Sequence, residues 1–436
     1  MSSLIRALKK AIPQRSPMRL AWHHAKAFIA ATLYGFPARS LTVIAVTGTD
    51  GKTTTVGMVL HILRAAGISA GALSTAFLRV KDQQEWNQTQ KTSPSPFLIQ
   101  KFLRRLVRAG CTHAVLEISS HGLVQGRVRY TWPIVAAVTN VTPEHLDYHG
   151  TMEQYRADKG LLLRMLRTGG TKILNQSDES FVTFNTIETT HTLTFGSAST
   201  SDFWYSDVRE TPEGVRAVLH TQGTALPIAL TIPGSFNLEN ALCAIACCRA
   251  VGIAPEQAVP ALRSFTGVAG RMEHIDEGQP FRVYVDFTVT PAAYEKTLTT
   301  LRATLAPDMR LLVLTGSCGD RMREKRPIVG RLCSELADIV VVTNEDPYTE
   351  DPQKIIDEVW AGIDQAQCEA HKIFDRREAM EFLFSKAAPG DAVILCAKGA
   401  DTTMWTAKGQ IPWNERAIAR ELLRTQKYGV TQREAE

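Results

Sequence analysis

From residue 41 onward, short β-branched apolar runs alternate with stretches whose apolar residues recur at helical spacing. "LTVIAV" (41–46) reads as a buried strand, and Thr53–Ala66 as a helix stopped at Gly67. "THAVLEIS" and "PIVAAVTNV" are further strands, and 151–167 reads as a helix. From 281 the pattern restarts with "FRVYVDF", a helix over 291–304, "RLLVLTG", a helix over 325–336, "DIVVVTN", a helix over 352–363 and the strand "AVILCA". Such alternation predicts an α/β protein with two parallel-sheet domains, 41–269 and 270–436. The boundary falls in "FTGVAGRME", where Gly267 and Gly270 break the preceding helix. The Thr-, Gly- and Pro-rich stretch 190–235 reads as a β-rich insertion in the first domain. Ahead of both, "MRLAWHHAKAFIAATLYGF" predicts a helix with Leu20, Trp22, Phe28, Ile29 and Leu33 largely buried.

Charge changes this picture only at the N-terminus. The chain of 436 residues has a formal net charge of +5, yet residues 1–40 carry seven Lys/Arg and no Asp or Glu. The remaining 396 residues therefore stand at −2, which argues against a general nucleic-acid-binding surface. The eight cysteines are scattered without a C-x-x-C pair, unlike a disulfide framework or a zinc site. The longest uncharged N-terminal run, Ala27 to Ala38, is far too short to span a membrane, and the order of a signal peptide is missing. A soluble, cytoplasmic protein is expected.

The chemistry starts at "TGTDGKTTT" (47–55), which follows the first strand. It lacks one feature of the phosphate-binding pattern Gly-x4-Gly-Lys-Ser/Thr, because Val46 stands where the first glycine belongs. Gly48 and Gly51 can still adopt conformations that a Cβ penalises. The backbone N–H groups of Gly48, Thr49, Asp50, Gly51 and the new helix, including Thr54, can then converge on an anion. Lys52 would reach the β/γ-phosphates and Thr53 would offer its hydroxyl to Mg²⁺. The plainer alternative is a glycine-containing turn with a surface lysine. Gly-Lys-Thr placed between strand and helix favours the nucleotide site.

Several further stretches occur in a fixed order: "LEISSHGLVQGRV", "TNVTPEHLDYHGTMEQYRADKGLL", "GSFNLENALCAIA", "GRMEHID", "GSCGDRMREKRP", "VVTNEDPYTEDP" and "AKGADTTMW". Together with the loop they closely resemble the Mur ligases, above all the members that add the third residue to the cell-wall precursor UDP-N-acetylmuramoyl-dipeptide. The likeness spans roughly 41–410 and implies a P-loop ATPase domain followed by a Rossmann-like ligase domain. It also implies amide formation in two steps. A carboxylate attacks the ATP γ-phosphate, and the amino group of an amino acid then displaces phosphate.

Site residues follow from the same resemblance. Lys52 and Thr53 would serve the phosphates and a first Mg²⁺, completed by Glu117, and His145 would ligate a second. Lys159, which taken alone is a solvated helix lysine, would be carbamylated, giving an anion beside that metal. Asn237 and Asn240 match the family's asparagine pair, one of which would face the adenine, although alone either could be a helix cap, with Arg271 and Asp286 also beside the nucleotide. Thr92, Ser119, Ser120 and Arg127 would hold the carboxylate-bearing stem of the acceptor. The implied cofactors are ATP and Mg²⁺ at two sites. The implied partners are a nucleotide- or lipid-linked muropeptide and an amino acid, bound by a monomer.

Three departures qualify the resemblance. Only forty residues precede the ATPase core, where the third-residue ligases carry a uridine-binding domain; the basic segment 1–40 is expected to dock on the core or to touch a membrane surface or lipid-linked precursor. The "DYAHTP" stretch of the family reads Asp286 to Pro291 here, with Val289 in place of its histidine. Finally, "DNPR" of the diaminopimelate-adding members is replaced by Glu345-Asp346-Pro347-Tyr348, which removes an arginine that pairs with a distal carboxylate. Asp346 and Asp401 would instead receive the side-chain ammonium of lysine or ornithine. Two alternatives keep parts of this reading: the same chemistry on a folate- or cyanophycin-like acceptor, and a catalytically weak nucleotide-binding scaffold.

Overall fold

The computed structural model describes residues 15–211 and 213–425. The chain divides into two compact units, one from Met1–Val208, Arg216–Ala229 and Asn237–Phe265, the other from Arg209–Val215, Leu230–Phe236 and Thr266–Glu436.

The first unit is built on an eight-stranded sheet. Its strands are β1 (Thr42–Thr47), β2 (Ala70–Leu73), β3 (Phe77–Val80), β4 (Gln83–Trp86), β5 (His113–Glu117), β6 (Val135–Val138), β7 (Thr171–Asn175) and β8 (His191–Phe195). They lie in the order β4-β3-β2-β5-β1-β6-β7-β8. The run from β2 to β8 is parallel, and β3 and β4 extend it as antiparallel neighbours. Strands buried on both faces need continuous apolar runs rather than alternation, which is what "TVIAVT" supplies in β1. Its register sets the site: Val46 lies opposite both Glu117 of β5 and Ala137 of β6, so all three chains leave the sheet at one end.

Strands β9 (Trp204–Thr211), β10 (Gly214–Thr221) and β11 (Thr224–Leu230) form a separate sheet, whereas His191–Phe195 belongs to the main one. The β-rich stretch 190–235 is thus divided, because β8 finds an open edge at β7.

The second unit has β12 (Glu273–Ile275), β13 (Arg282–Val285), β14 (Leu311–Thr315), β15 (Ile339–Val342), β16 (Glu369–Lys372) and β17 (Ala392–Leu395) in the order β12-β13-β17-β14-β15-β16. All neighbours are parallel except β12. Side chains alternate along β14: Leu311 and Val313 join a core with Tyr294, Leu298 and Val329, while Leu312 and Leu314 join another with Met380, Leu383 and Leu422. Helices therefore cover both faces. A hairpin of β18 (Thr403–Thr406) and β19 (Gly409–Pro412) precedes the last helix among the described residues, Glu415–Thr425. Seven of the eight cysteines are buried and only Cys318 is partly exposed; none forms a disulfide.

Three expectations need correction. The helix expected over 151–167 runs only from Met152 to Gly160, followed by a 3-10 turn at Leu163–Met165. A continuing helix would aim Leu162 and Leu163 about 100° apart, whereas both are buried after the break at Gly160, a weak helix former. The helix from Pro352 stops at Trp360, since Gly362 approaches Pro327 so closely that a Cβ would lie 1.9 Å from its carbonyl oxygen. The N-terminal helix forms as Pro17–Leu33, but its large apolar residues are not buried. Ala27, Ala30 and Ala31 face inward instead, because small side chains allow close packing against the helix Pro96–Arg108.

Candidate active site

The loop after β1 is held open by glycine and stapled by side chains. Gly48 has φ +150° and Gly51 has φ +80°. A Cβ on Gly48 would lie 1.9 Å from Thr139 Oγ1, and one on Gly51 would lie 2.1 Å from Asn240 Oδ1. Both positions therefore exclude any other residue for steric and conformational reasons. The N–H of Thr49 donates to the Asn140 carbonyl at 2.9 Å, and that of Asp50 to Asn140 Oδ1 at 2.9 Å. Thr139 Oγ1 donates to the Asp50 carbonyl at 2.6 Å, and Thr142 N–H to Thr49 Oγ1 at 3.1 Å. The segment after β6 thus fixes the loop, and Gly51 caps a helix that begins at Lys52. Such an end concentrates backbone N–H groups and positive dipole where an anion can sit.

Three cationic or hydroxyl groups border this cradle. Lys52 Nζ donates to the Thr49 carbonyl at 2.6 Å. Thr53 Oγ1 donates to Glu117 Oε2 at 3.0 Å, Glu117 standing opposite Val46 where β1 leaves the sheet. Thr75 donates to the same carboxylate through its N–H at 2.7 Å and its hydroxyl at 2.8 Å, and its Oγ1 lies 2.8 Å from Thr92 Oγ1. One buried carboxylate and one hydroxyl beside a phosphate cradle suit Mg²⁺, which takes few protein ligands and completes its shell with phosphate oxygens and water. Among the described residues, no group of three or more His, Cys, Asp or Glu could hold a metal by itself. The donor set fits an ion shared with a bound nucleotide.

Lys159 is almost wholly buried and donates to the Gly48 carbonyl at 2.5 Å. Its ammonium is pushed well below the usual lysine range, first by burial and then by Lys52. His145 starts the short helix Leu146–His149 at φ +57°, with its ring 4.9 Å from that of His121. Asn240 Nδ2 donates to Asn237 Oδ1 at 3.0 Å, both within the helix Phe236–Ala250.

On the expected acceptor side, Ser119 caps the helix Ser120–Val124 through the Gly122 N–H. Arg127 donates to the Ser93 carbonyl at 2.8 Å and to Gln125 Oε1 at 3.0 Å, and burial pushes its guanidinium down. Ser120 Oγ lies 3.0 Å from His149 Nε2, and His149 Nδ1 lies 2.6 Å from Asp158 Oδ2. Asp158 also accepts both Arg15 N–H groups, at 2.6 and 2.9 Å, and Gln154 at 2.9 Å. Burial raises that carboxyl, but the bonds from His149, Arg15 and Gln154 outweigh it and hold it below the usual range. Sequence reasoning missed this network. Its only local trace is Asp158 beside Lys159 and four residues after Gln154.

The other expected residues lie in the second unit. Asp286 accepts the Met272 N–H at 2.7 Å and the Thr288 hydroxyl; burial pushes it up against the pull of Arg271. Arg271 stacks over the Phe287 ring at 4.5 Å. Gly270 (φ +67°) approaches Ala400 so closely that a Cβ would meet its backbone nitrogen at 2.1 Å. At the position of the missing histidine, the Val289 carbonyl accepts from buried Lys325 at 3.0 Å.

The two aspartates expected to receive an ammonium are already joined. Lys398 Nζ donates to Asp346 Oδ1 at 2.8 Å and lies 3.5 Å from Asp401 Oδ2, a bridge that the sequence reading did not assign. Glu345 is buried beside them and pushed up to about 7, by burial first and then by Asp346; Asp401 is pushed up to about 6 by burial, against Lys398. Arg376 also acts on Glu345 and Arg271 on Asp401, so the three carboxyl groups share more than one cation. Tyr348 stacks on Trp405 with ring centroids 5.6 Å apart, and Arg321 lies over the Tyr348 ring at 5.3 Å.

Comparison with known proteins places this geometry. The Mur ligase middle domain matches residues 46–248, and the Mur ligase, glutamate ligase domain matches residues 270–399. The chain is 36% identical over 419 residues to the UDP-N-acetylmuramyl-tripeptide synthetase of Roseiflexus sp. (strain RS-1), covering 92% of this chain and 82% of the relative. It is 34% identical over 402 residues to the UDP-N-acetylmuramoyl-L-alanyl-D-glutamate–2,6-diaminopimelate ligase of Geobacillus kaustophilus (strain HTA426), covering 91% and 81%. A solved structure of a ligase of the latter name superposes with a TM-score of 0.62 at 27% identity, over 89% of this chain and 79% of that one. The folylpolyglutamate synthase of Mycobacterium tuberculosis shares the fold, with a TM-score of 0.70 at 16% identity over 92% and 94%. With a glycine-held phosphate cradle, a Thr53–Glu117 pair and both family domains in order, the chain belongs to the Mur ligase family of ATP-dependent acid–amino-acid ligases.

Proposed function

We propose that this enzyme joins an amino acid to a UDP-N-acetylmuramoyl-dipeptide type of acceptor, adding the third residue of the stem peptide. The observation that carries the reading is the loop itself, where Gly48 and Gly51 let the backbone turn tightly against Thr139 and Asn240 and Thr53 meets Glu117. ATP supplies the activating phosphoryl group and Mg²⁺ neutralises its charge. The chain's own residues do the positioning. The N–H groups of the first turn of the helix from Lys52 orient the phosphates while those of Thr49 and Asp50 hold the loop through Asn140, Lys52 offsets negative charge beside the phosphates, and Thr53 with Glu117 would provide oxygen ligands to the ion. Arg127, aided by Ser119, Ser120 and Thr92, orients the acceptor carboxylate. One of Asn237 and Asn240 faces the adenine, Arg271 and Asp286 contact the nucleotide, and 41–269 and 270–436 act as the ATPase and ligase domains.

Lys159 is carbamylated in this reading. Its buried amine, whose charged form burial disfavours, attacks CO₂; an Nζ–C bond forms, one proton leaves the nitrogen, and an anionic carboxylate replaces the amine. His145 and that carboxylate then serve a second Mg²⁺. The amino acid is a diamino acid such as lysine or ornithine, whose side-chain ammonium meets Asp346 and Asp401 beside Lys398.

The test is phosphate release from ATP and Mg²⁺ with UDP-N-acetylmuramoyl-dipeptide, screened against a panel of amino acids with Lys52→Ala as control. Release that needs both the acceptor and one amino acid, and is lost in the control, is expected. Silence across the panel despite measurable ATP binding would overturn the acceptor assignment.

A further inference from the structure

The helix Pro17–Leu33 presents its large apolar residues to solvent and its alanines to the protein. Met18, Trp22, Phe28, Ile29 and Leu33 are 66%, 60%, 52%, 51% and 68% exposed. At 3.6 residues per turn, positions 18, 22, 25, 29 and 33 run along one side of the helix. That stripe carries no charge over a length of about 22 Å. Leaving so contiguous an apolar surface in water is costly, and such patches mark contact sites.

What borders the stripe identifies its occupant. Lys26 Nζ sits over the Trp22 ring at 5.5 Å, and Arg39 lies over the rings of Phe36 at 4.9 Å and Trp132 at 5.3 Å. Phe28 packs with Phe36 and Tyr130 at 6.3 and 6.0 Å, continuing the stripe as an aromatic cluster rimmed by cations. Residues 1–40 contain seven Lys/Arg and no acidic residue. A second copy seated face to face would bring two such segments together and repel. No described helix is long and apolar enough to cross a membrane. Apolar stripe, aromatic cluster and cationic rim instead match the headgroup layer of an anionic bilayer, where rings sit at the interface and Lys/Arg meet phosphates.

We propose that the helix Pro17–Leu33 lies in the plane of an anionic membrane surface, its Met18–Trp22–Ile29–Leu33 face in the acyl boundary, and so docks the enzyme on the bilayer. The proposal does not depend on which acceptor the enzyme uses.

The full chain is to be sedimented with phosphatidylglycerol/phosphatidylcholine vesicles and with pure phosphatidylcholine vesicles. Binding to the anionic vesicles, weakened by salt, is expected. The Trp22→Glu/Ile29→Glu variant should partition roughly tenfold less while melting as the parent does, because both side chains are on the open face. Should that variant melt early, Met18→Gln/Leu33→Gln is used in its place. No partitioning of the parent, or equal partitioning of the variant, overturns the proposal. So does a dimer of the parent, seen in sedimentation velocity without lipid, that the variant dissolves.

Discussion

The Nζ of Lys159 donates to the carbonyl of Gly48 across 111 positions of sequence, tying the helix Met152–Gly160 to the floor of the phosphate loop. The amine is thereby fixed beside the loop in a place where its charge is unwelcome. Activity is expected to depend on dissolved CO₂. Protein stripped of bicarbonate should lose turnover and regain it on adding bicarbonate. ¹³C-bicarbonate should give a carbamate carbon signal that is absent in Lys159→Ala. A bicarbonate-independent rate would remove the carbamate from the mechanism.

Gly51 leaves no space for a side chain. Gly51→Ala is expected to destabilise the fold by about 1–2 kcal/mol from its left-handed backbone, and further by displacing Asn240. Gly51→Ala/Asn240→Ala should recover the second part but not nucleotide affinity, which calorimetry of ATP binding and thermal melting together would separate.

The carboxylate of Asp158 is held by Arg15, His149 and Gln154. Its lowered value means that this contribution is present above the unfolded carboxyl pKa and is lost as pH falls through the folded one. Asp158→Asn should therefore cost about 1–3 kcal/mol near neutral pH and much less in acid, as urea unfolding at several pH values would record.

Glu345 and Asp401 have the opposite sign. Their folded values, about 7 and about 6, are raised, so the stability they contribute is full below the unfolded carboxyl range and is lost as pH rises through those values. Glu345→Gln should flatten the decline of stability above about pH 5. Lys398→Met, which removes the cation bonded to Asp346, should cost about 3–5 kcal/mol at neutral pH.

The same cluster bears on amino-acid choice. Tyr348, stacked on Trp405, offers no cation to a distal carboxylate. Lysine or ornithine should therefore support faster phosphate release than diaminopimelate, and Tyr348→Arg should shift the ranking toward diaminopimelate. The reverse order in the parent enzyme would discard the assignment.

How much of this was legible in the sequence depended on the range of the interaction. The loop, its strand and its helix follow from contiguous residues, and Gly48 and Gly51 carry the reason in their own chemistry. The N-terminal helix was legible as a helix but not as a surface. The apolar pattern places Leu20, Trp22, Phe28, Ile29 and Leu33 inside, whereas the close-packing positions are Ala27, Ala30 and Ala31, whose spacing is a readable signal. Arg15 and Asp158 meet over 143 positions, and Lys398 reaches Asp346 over 52. Pairings at that separation are created by the topology of the sheets and have no local signature.

The burial of the cysteines has a practical side. Seven thiols are sealed inside, and burial pushes the partly exposed Cys318 up to about 12, so little thiolate forms at neutral pH. Alkylating probes should find the native enzyme almost inert. A single cysteine engineered at an exposed position such as Thr32 could then be labelled selectively in the wild-type background, giving an optical reporter at the helix Pro17–Leu33 with no native thiol removed.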